Sequence, residues 1–324
     1  MRKLHTPCRS GQKRRGTDPH RVRLRPRGRG KIRKQPRRRK FPRAALVLLL
    51  LIVAGCTFAA WLTPYEVSVM DGQAISLAPC RAHPLGTDSL GRDLLAMILY
   101  GGRLSLYIGL LSALLSSLLA LVYGAISGLA PGVLDALLMR FCELLMSLPS
   151  LILVLFLQAV WGKPTPTSIA VVLALTSWMT LAKLVRSEVR RIRESDYILS
   201  AKIMGADFTY LLQKHLLPNL ISPAMFMVVS SFGQAIIAET TLSFLGLGLP
   251  VSQVSWGSLL SLSKNALLSN QWWMILLPGL VLVTTLVCIT ELGEYARARN
   301  NRLQTICNVL GTAKDFEIKK RKNE

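Results

Sequence analysis

The chain is built of long apolar runs separated by short polar breaks, not of single apolar and polar positions in alternation. Ala44 to Leu62 reads AALVLLLLIVAGCTFAAWL, with no charge throughout. A helix that crosses a bilayer needs about 20 mostly apolar residues, so this run predicts a first span. Further runs predict a second span within Leu104 to Leu129, a third within about Leu137 to Val160 and a fourth within about Ser168 to Val185. From His215 to Thr290 the only charges are Glu239 and Lys264. That stretch is too long for one helix, and its Gly/Ser/Pro-rich middle, Ser243 to Ser263, divides it. A fifth span near Leu220 to Thr241 and a sixth near Trp272 to Leu292 result. The basic region ahead of the first run is far too long for a cleaved secretory signal, which makes that run an anchor. The pattern predicts an all-α polytopic membrane protein with six transmembrane helices.

Composition removes the main alternative. Of 324 residues 51% are hydrophobic and 18% charged, whereas a soluble domain averages about 25% charged. A water-soluble globule is excluded. The net charge of +23 is concentrated at one end: residues 1–43 hold 19 of the 40 Lys and Arg and a single acid, Asp18. Lys and Arg gather in cytoplasmic loops, and the loop between spans four and five has seven and the C-terminal tail eight. On the other side Arg81, Arg92 and Arg103 are balanced by four acids, and the remaining loops have only Lys163 and Lys264. Both termini are therefore expected in the cytoplasm.

The basic tail, rich in Arg, Lys, Pro and Gly, has too little apolar surface to fold, and disorder is expected. Three readings fit it. It orients the chain and attracts anionic lipid; it binds nucleic acid by counterion release, although no aromatic stands before Phe41 to stack on a base; or translation starts downstream, at an alternative start codon because no Met lies between Met1 and Met70. Membrane lipid is the expected partner and nucleic acid is not. Cys8, Cys56, Cys80, Cys142, Cys288 and Cys307 form no CxxC pair and have no His at ligand spacing, so no metal site is indicated. Enzyme signatures are missing too: there is no HExxH, GxSxG or GxxxxGK[ST], and no catalytic residue or cofactor is assigned. Acids within spans are the usual mark of ion relays. The candidates are Glu143, with Arg140 at i,i+3 spacing, and Glu239, all toward span ends where water is expected to reach them.

The unusual polar segment is Arg190 to Asn219, RRIRESDYILSAKIMGADFTYLLQKHLLPN. Small residues Ser200 and Ala201 precede Gly205, and Phe208, Leu211 and Leu212 follow it at the i, i+3, i+4 spacing of an apolar helix face. Physics alone leaves two readings: a helix lying on the membrane surface, or a helix that enters a groove on a partner, with Gly205 allowing a tight turn.

This segment resembles the EAA loop of ABC-importer permeases, in which E-A-A is followed after three residues by Gly and, about eleven residues on, by L-P. Leu199 stands in the Glu place, Ser200 and Ala201 in the Ala places, and Gly205 and Pro218 in the fixed Gly and Pro places. His83 to Leu110 resembles the segment ahead of the membrane core in the dipeptide/oligopeptide/nickel permeases, and Glu239 to Leu260 resembles their outer loop after span five. The resemblance covers roughly residues 44–295, and the basic tail has no counterpart in it. It implies a type I ABC importer permease fold: a tail at 1–43, a permease domain at 44–293 with its core at about 91–293 and the coupling loop at 190–219, and a cytoplasmic tail at 294–324. It further implies a bacterial inner-membrane subunit that translocates a peptide or a nickel-type metal chelate. Its partners would be a second homologous permease, two ATP-binding subunits that bind ATP and Mg, and an extracytoplasmic substrate-binding protein. The ATPase-coupling residues would be Ser200, Ala201, Gly205, Ala206, Asp207, Leu211, Leu217 and Pro218.

Two further features have paired readings. His83 to Arg103 is either a loop held by turn residues Gly86, Asp88 and Gly91, or a docking site at which Arg92 and Asp93 meet the binding protein. Gly124 and Gly128 permit close helix approach, within the chain or across a permease pair. The rivals to a permease are an ion-coupled secondary transporter, which needs an acid such as Glu239, and a membrane-anchored nucleic-acid-binding protein working through the tail.

Overall fold

The computed structural model describes residues 41–67, 69–195, 198, 203–204, 217–250, 252–264, 266 and 271–323, with backbone alone at 217–219, 221–222 and 300–323. The basic tail and most of the 190–219 loop lie outside the described residues. The regular elements among the described residues are all helices, joined by loops such as 63–93, with one isolated bridge between Thr87 and Asp93.

The helices in chain order are α1 (Arg43–Thr57), α2 (Ala59–Leu62), α3 (Leu94–Leu129), α4 (Gly132–Met146), α5 (Ser150–Trp161), α6 (Pro166–Arg193), α7 (Leu217–Phe244), α8 (Trp256–Leu262) and α9 (Trp273–Asn323). Four are long and apolar enough to cross a membrane: α3, α6, α7 from Pro223, and α9 as far as Arg299. The α4–α5 pair is together long and apolar enough to make a fifth, broken span, and α1 is a shorter apolar helix extended after Phe58 by the single turn of α2. Each run singled out by hydropathy is thus helical.

The third span differs from expectation in shape. It is not one helix: α4 and α5 meet at 87°. Proline lacks an N–H and drives the residue before it out of the helical region, and Pro149 sits at the break. The Ser147 N–H and hydroxyl close α4 on Glu143 and Leu144 carbonyls, and the Leu153 N–H restarts the ladder on Pro149. The second span also begins earlier than expected, at Leu94. Asp93 caps it there by accepting the Ala96 N–H at 2.9 Å, one of the orphan donors of a helix start.

With 36 residues at about 1.5 Å each, α3 is about 54 Å long, well beyond the about 30 Å of bilayer hydrocarbon. It is also the centre of the packing, and small residues are what allow this. Without a hydrophobic drive between helices in lipid, association rests on close backbone approach and hydrogen bonds. A Cβ on Gly124 would lie 2.6 Å from the Ala182 carbonyl and from Val185 on α6, and one on Gly128 would lie 2.7 Å from Val189. The Gly124/Gly128 pair therefore serves the α3–α6 crossing inside this chain. At Gly109 the same added atom would be 2.7 Å from Ile236 of α7, and at Gly102 it would be 2.5 Å from the Cys56 sulfur of α1.

The two ends of the bundle are distinguishable. At one, the Cys56 end of α1 meets the start of α3, and Trp273 at the start of α9 donates to the Thr87 carbonyl. At the other, Phe41 packs edge-on against Tyr295 of α9, ring centroids 5.1 Å apart.

Candidate functional site

At the Phe41–Tyr295 end, α6 and α7 flank the 190–219 loop. The last turn of α6 contains Arg190, Arg191 and Arg193, cations that suit the negative end of a helix dipole. Asp135, in the first turn of α4, is buried, and Arg186 grips both of its oxygens while Arg190 reaches the second and Ser127 donates to the first at 2.6 Å. Arg193 donates to the Gly128 and Leu129 carbonyls at 3.3 and 3.2 Å, which the end of α3 leaves without helical partners. One carboxylate and three guanidinia so fasten the end of α6 to α3 and α4. Sequence reading missed this group because Asp135 and its arginines lie 51 and 55 positions apart.

Beyond α6 the chain is tethered again at Ile198, which is buried with Val185, Val189, Ile192, Leu220 and Met227. Between those tethers, Ile203 and Met204 are 84% and 80% exposed. Ser200, Ala201, Gly205, Ala206, Asp207 and Leu211 lie outside the described residues. Leu217 and Pro218 open α7, where a proline costs no hydrogen bond because the first-turn N–H groups have no helical partner.

The opposite end is knotted by its own polar groups. Asp88 accepts the backbone N–H groups of Leu90 and Arg92 at 2.9 and 2.8 Å and the Arg92 Nε–H at 2.7 Å. Asp93 pairs with His83 Nδ1 at 2.9 Å while capping α3. Gly86 and Gly91 have φ of +84° and +77°, a region open to glycine at no steric cost. Arg92 and Asp93 are 3% and 4% exposed. This corrects the docking reading of these two charges: both are turned inward and occupied by Asp88, His83 and the α3 N-terminus.

The loop after α7 is a second knot. Glu239 is fully buried, accepting hydrogen bonds from Ser243 at 2.8 Å and Ser105 at 3.2 Å. Ser105 also accepts the Trp256 N–H at 3.2 Å, and the Trp256 indole donates to the Ile98 carbonyl at 2.9 Å. The expectation that water reaches Glu239 is corrected: helix packing seals it, and it joins α3, α7 and the start of α8. Glu143 is the exposed one, 3.1 Å from Arg140 as its spacing suggested. Among the described residues no three His, Cys, Asp or Glu side chains converge as a metal site requires.

Comparison with known proteins agrees with this architecture. The profile of the family described as "binding-protein-dependent transport system inner membrane component" matches residues 120–299, from the last third of α3 into α9. The chain is 33% identical over 258 residues to the dipeptide transport system permease protein DppC of Bacillus subtilis (strain 168), covering 80% of each. It is 36% identical over 270 residues to a putative peptide transport system permease protein of Brucella suis biovar 1 (strain 1330), covering 82% of this chain and 88% of that one. A putative peptide permease protein of the same organism is 37% identical over 254 residues, covering 78% and 83%. This chain belongs to the binding-protein-dependent transport system inner membrane components: it is an ABC-importer permease, a multi-pass transport subunit of the inner membrane.

Proposed function

We propose that this chain is one of two homologous permeases in an ATP-driven peptide importer, fed by an extracytoplasmic binding protein and moved by two separate ATP-binding subunits. The substrate reading rests on the relatives, which are named for dipeptide or peptide transport; it places a peptide ahead of a nickel-type chelate. ATP and Mg belong to the partner subunits in this reading, and the chain itself needs no cofactor.

The observation that carries the coupling is the exposure of Ile203 and Met204 between two buried tethers. A large apolar side chain is worth about 1.5–3 kcal/mol when fully buried, so this pair favours a partner's groove. The loop returns to both α6 and α7, and the Asp135–Arg186–Arg190 group ties α6 to α3 and α4. A nucleotide-driven shift of the loop would therefore move those helices together, as a packed two-state element does. Excess Lys and Arg in the loop and both tails supports a cytoplasmic side for this end, and the Phe41–Tyr295 contact is consistent with both tails leaving from one end.

Peptide uptake tests the reading. Cells lacking the chain should fail to accumulate a labelled dipeptide or oligopeptide and regain uptake with the wild type. Uptake of neither, with a nickel chelate taken up instead, would overturn the substrate assignment.

A further inference from the structure

Most polar groups at the α3-start end are occupied internally, and one set is not. Tyr100, Arg103 and Tyr107 follow one another on α3 at spacings of three and four, so they share a face. Together with Ser252 and Gln253, just ahead of α8, they line an open cavity of about 360 Å³, in which Arg103, Tyr107, Ser252 and Gln253 are exposed. Its apolar wall comes from Val67, Leu104 and Val254. Among the described residues Arg103 has no ion-pair or hydrogen-bond partner, nor do the two phenol hydroxyls or the Gln253 amide group. No acid lines the cavity.

The walls are held in place. Ser255 caps α8 by accepting the Ser258 N–H at 3.1 Å, and the Trp256 N–H is fixed on Ser105 of α3. A Cβ on Gly101 would lie 3.2 Å from the Ser255 carbonyl carbon, so the two backbones touch directly beside the cavity. Arg103 stands nine residues into α3, about 14 Å along its axis, on a helix that overreaches the hydrocarbon.

We propose that this cavity is a subsite for the C-terminal carboxylate of the incoming peptide, received by Arg103 with Tyr100, Tyr107 and Gln253 as neutral donors. The inference rests on the peptide reading above. A planar guanidinium matches a carboxylate with two parallel hydrogen bonds, and every peptide with a free C-terminus has one. The cavity has the volume of a small-molecule pocket, about 300–1,000 Å³, enough for a terminal residue and not for a folded partner. A lipid phosphate offers similar chemistry to an arginine near the membrane surface, so the test separates the two sources.

The complete importer is placed in nanodiscs with its binding protein and given ATP and a short peptide with a photoreactive C-terminal residue. The free acid should label positions 100–107 or 252–254 of this chain, and the C-terminal amide should label them at least about tenfold less, the loss expected for a charged hydrogen-bonded pair. Arg103→Gln should lose the label to a similar degree and Arg103→Lys should keep part of it. Gln253→Ala, an exposed side chain whose loss leaves nothing unpaired, should lower labelling a few-fold. Equal labelling of acid and amide, or labelling unchanged by Arg103→Gln, would overturn the subsite. So would removal of the label by added phosphatidylglycerol, which would make the cavity a headgroup site, or failure of Arg103→Gln to join its partners, which would make it an assembly contact. If wild-type cells import no peptide at all, the underlying reading fails first, and that result is separate from any labelling outcome.

Discussion

A carboxyl group taken out of water is costly unless donors replace the water, and for Glu239 the donors are the serines at 105 and 243. Its role is then to hold α3, α7 and α8 together, not to carry an ion. Glu239→Gln keeps the shape and still accepts and donates to hydroxyls, so peptide uptake should stay within about threefold of wild type, because each replaced hydrogen bond is worth only about 1 kcal/mol. Glu239→Ala leaves the hydroxyls unpaired and should lower the amount of folded protein recovered in detergent. Loss of uptake in a well-folded Glu239→Gln variant would contradict a purely structural role for this carboxyl group. Asp135 calls for the opposite result. Asp135→Asn leaves Arg186 and Arg190, four residues apart on α6, as unbalanced like charges. Both arginines are partly open to water, so the cost should be about 1–3 kcal/mol, below that of breaking a fully buried pair, and visible as a lower unfolding midpoint in detergent. Of these two acids, sequence reading found Glu239 because it interrupts an apolar run, but not its burial. It missed Asp135, whose partners are distant in sequence and whose neighbours look like an ordinary helix start.

At the scale of elements, each run that hydropathy marked as a span is helical, because the bilayer imposes its length directly on sequence; α8, inside the Ser243–Ser263 divider, and the continuation of α9 past the sixth run were not marked. Local rules not applied to those runs account for the errors. Pro149 inside the third run marks the 87° break between α4 and α5, and Asp93 marks the true start of α3 as an N-cap. The helix pairings were out of reach, since Gly124 and Gly128 fit equally a partner inside or outside the chain. With Val185, Val189 and the Ala182 carbonyl already in contact range, Gly124→Leu has no space to enter. Overpacking costs about 1–3 kcal/mol and more where backbone is struck. The variant should fail to accumulate, or should emerge aggregated in size-exclusion chromatography, whereas substitution of Leu118, 60% exposed on the same helix, by Ile should be silent.

At the scale of the molecule, membership in the permease family was legible from three ordered motifs, and their structural meanings proved unlike one another. The His83–Arg103 and Glu239–Leu260 stretches are polar knots that fix the ends of α3, α7 and α8. In the 190–219 loop the described Ile203 and Met204 are 84% and 80% exposed, against 39–51% for Leu90, Phe244, Leu245 and Leu247 of the two knots, and the claim that this loop engages an ATPase is central to the proposed function. The direct measurement is co-purification of the chain in mild detergent from its native membrane, for wild type, Ile203→Asp and Gly205→Arg, with the bound proteins identified. The account predicts two ATP-binding subunits and a second permease with the wild type, and loss of the ATP-binding subunits from both variants while the second permease is retained. Wild-type chain recovered without any ATP-binding subunit, or variants that keep both, would contradict it.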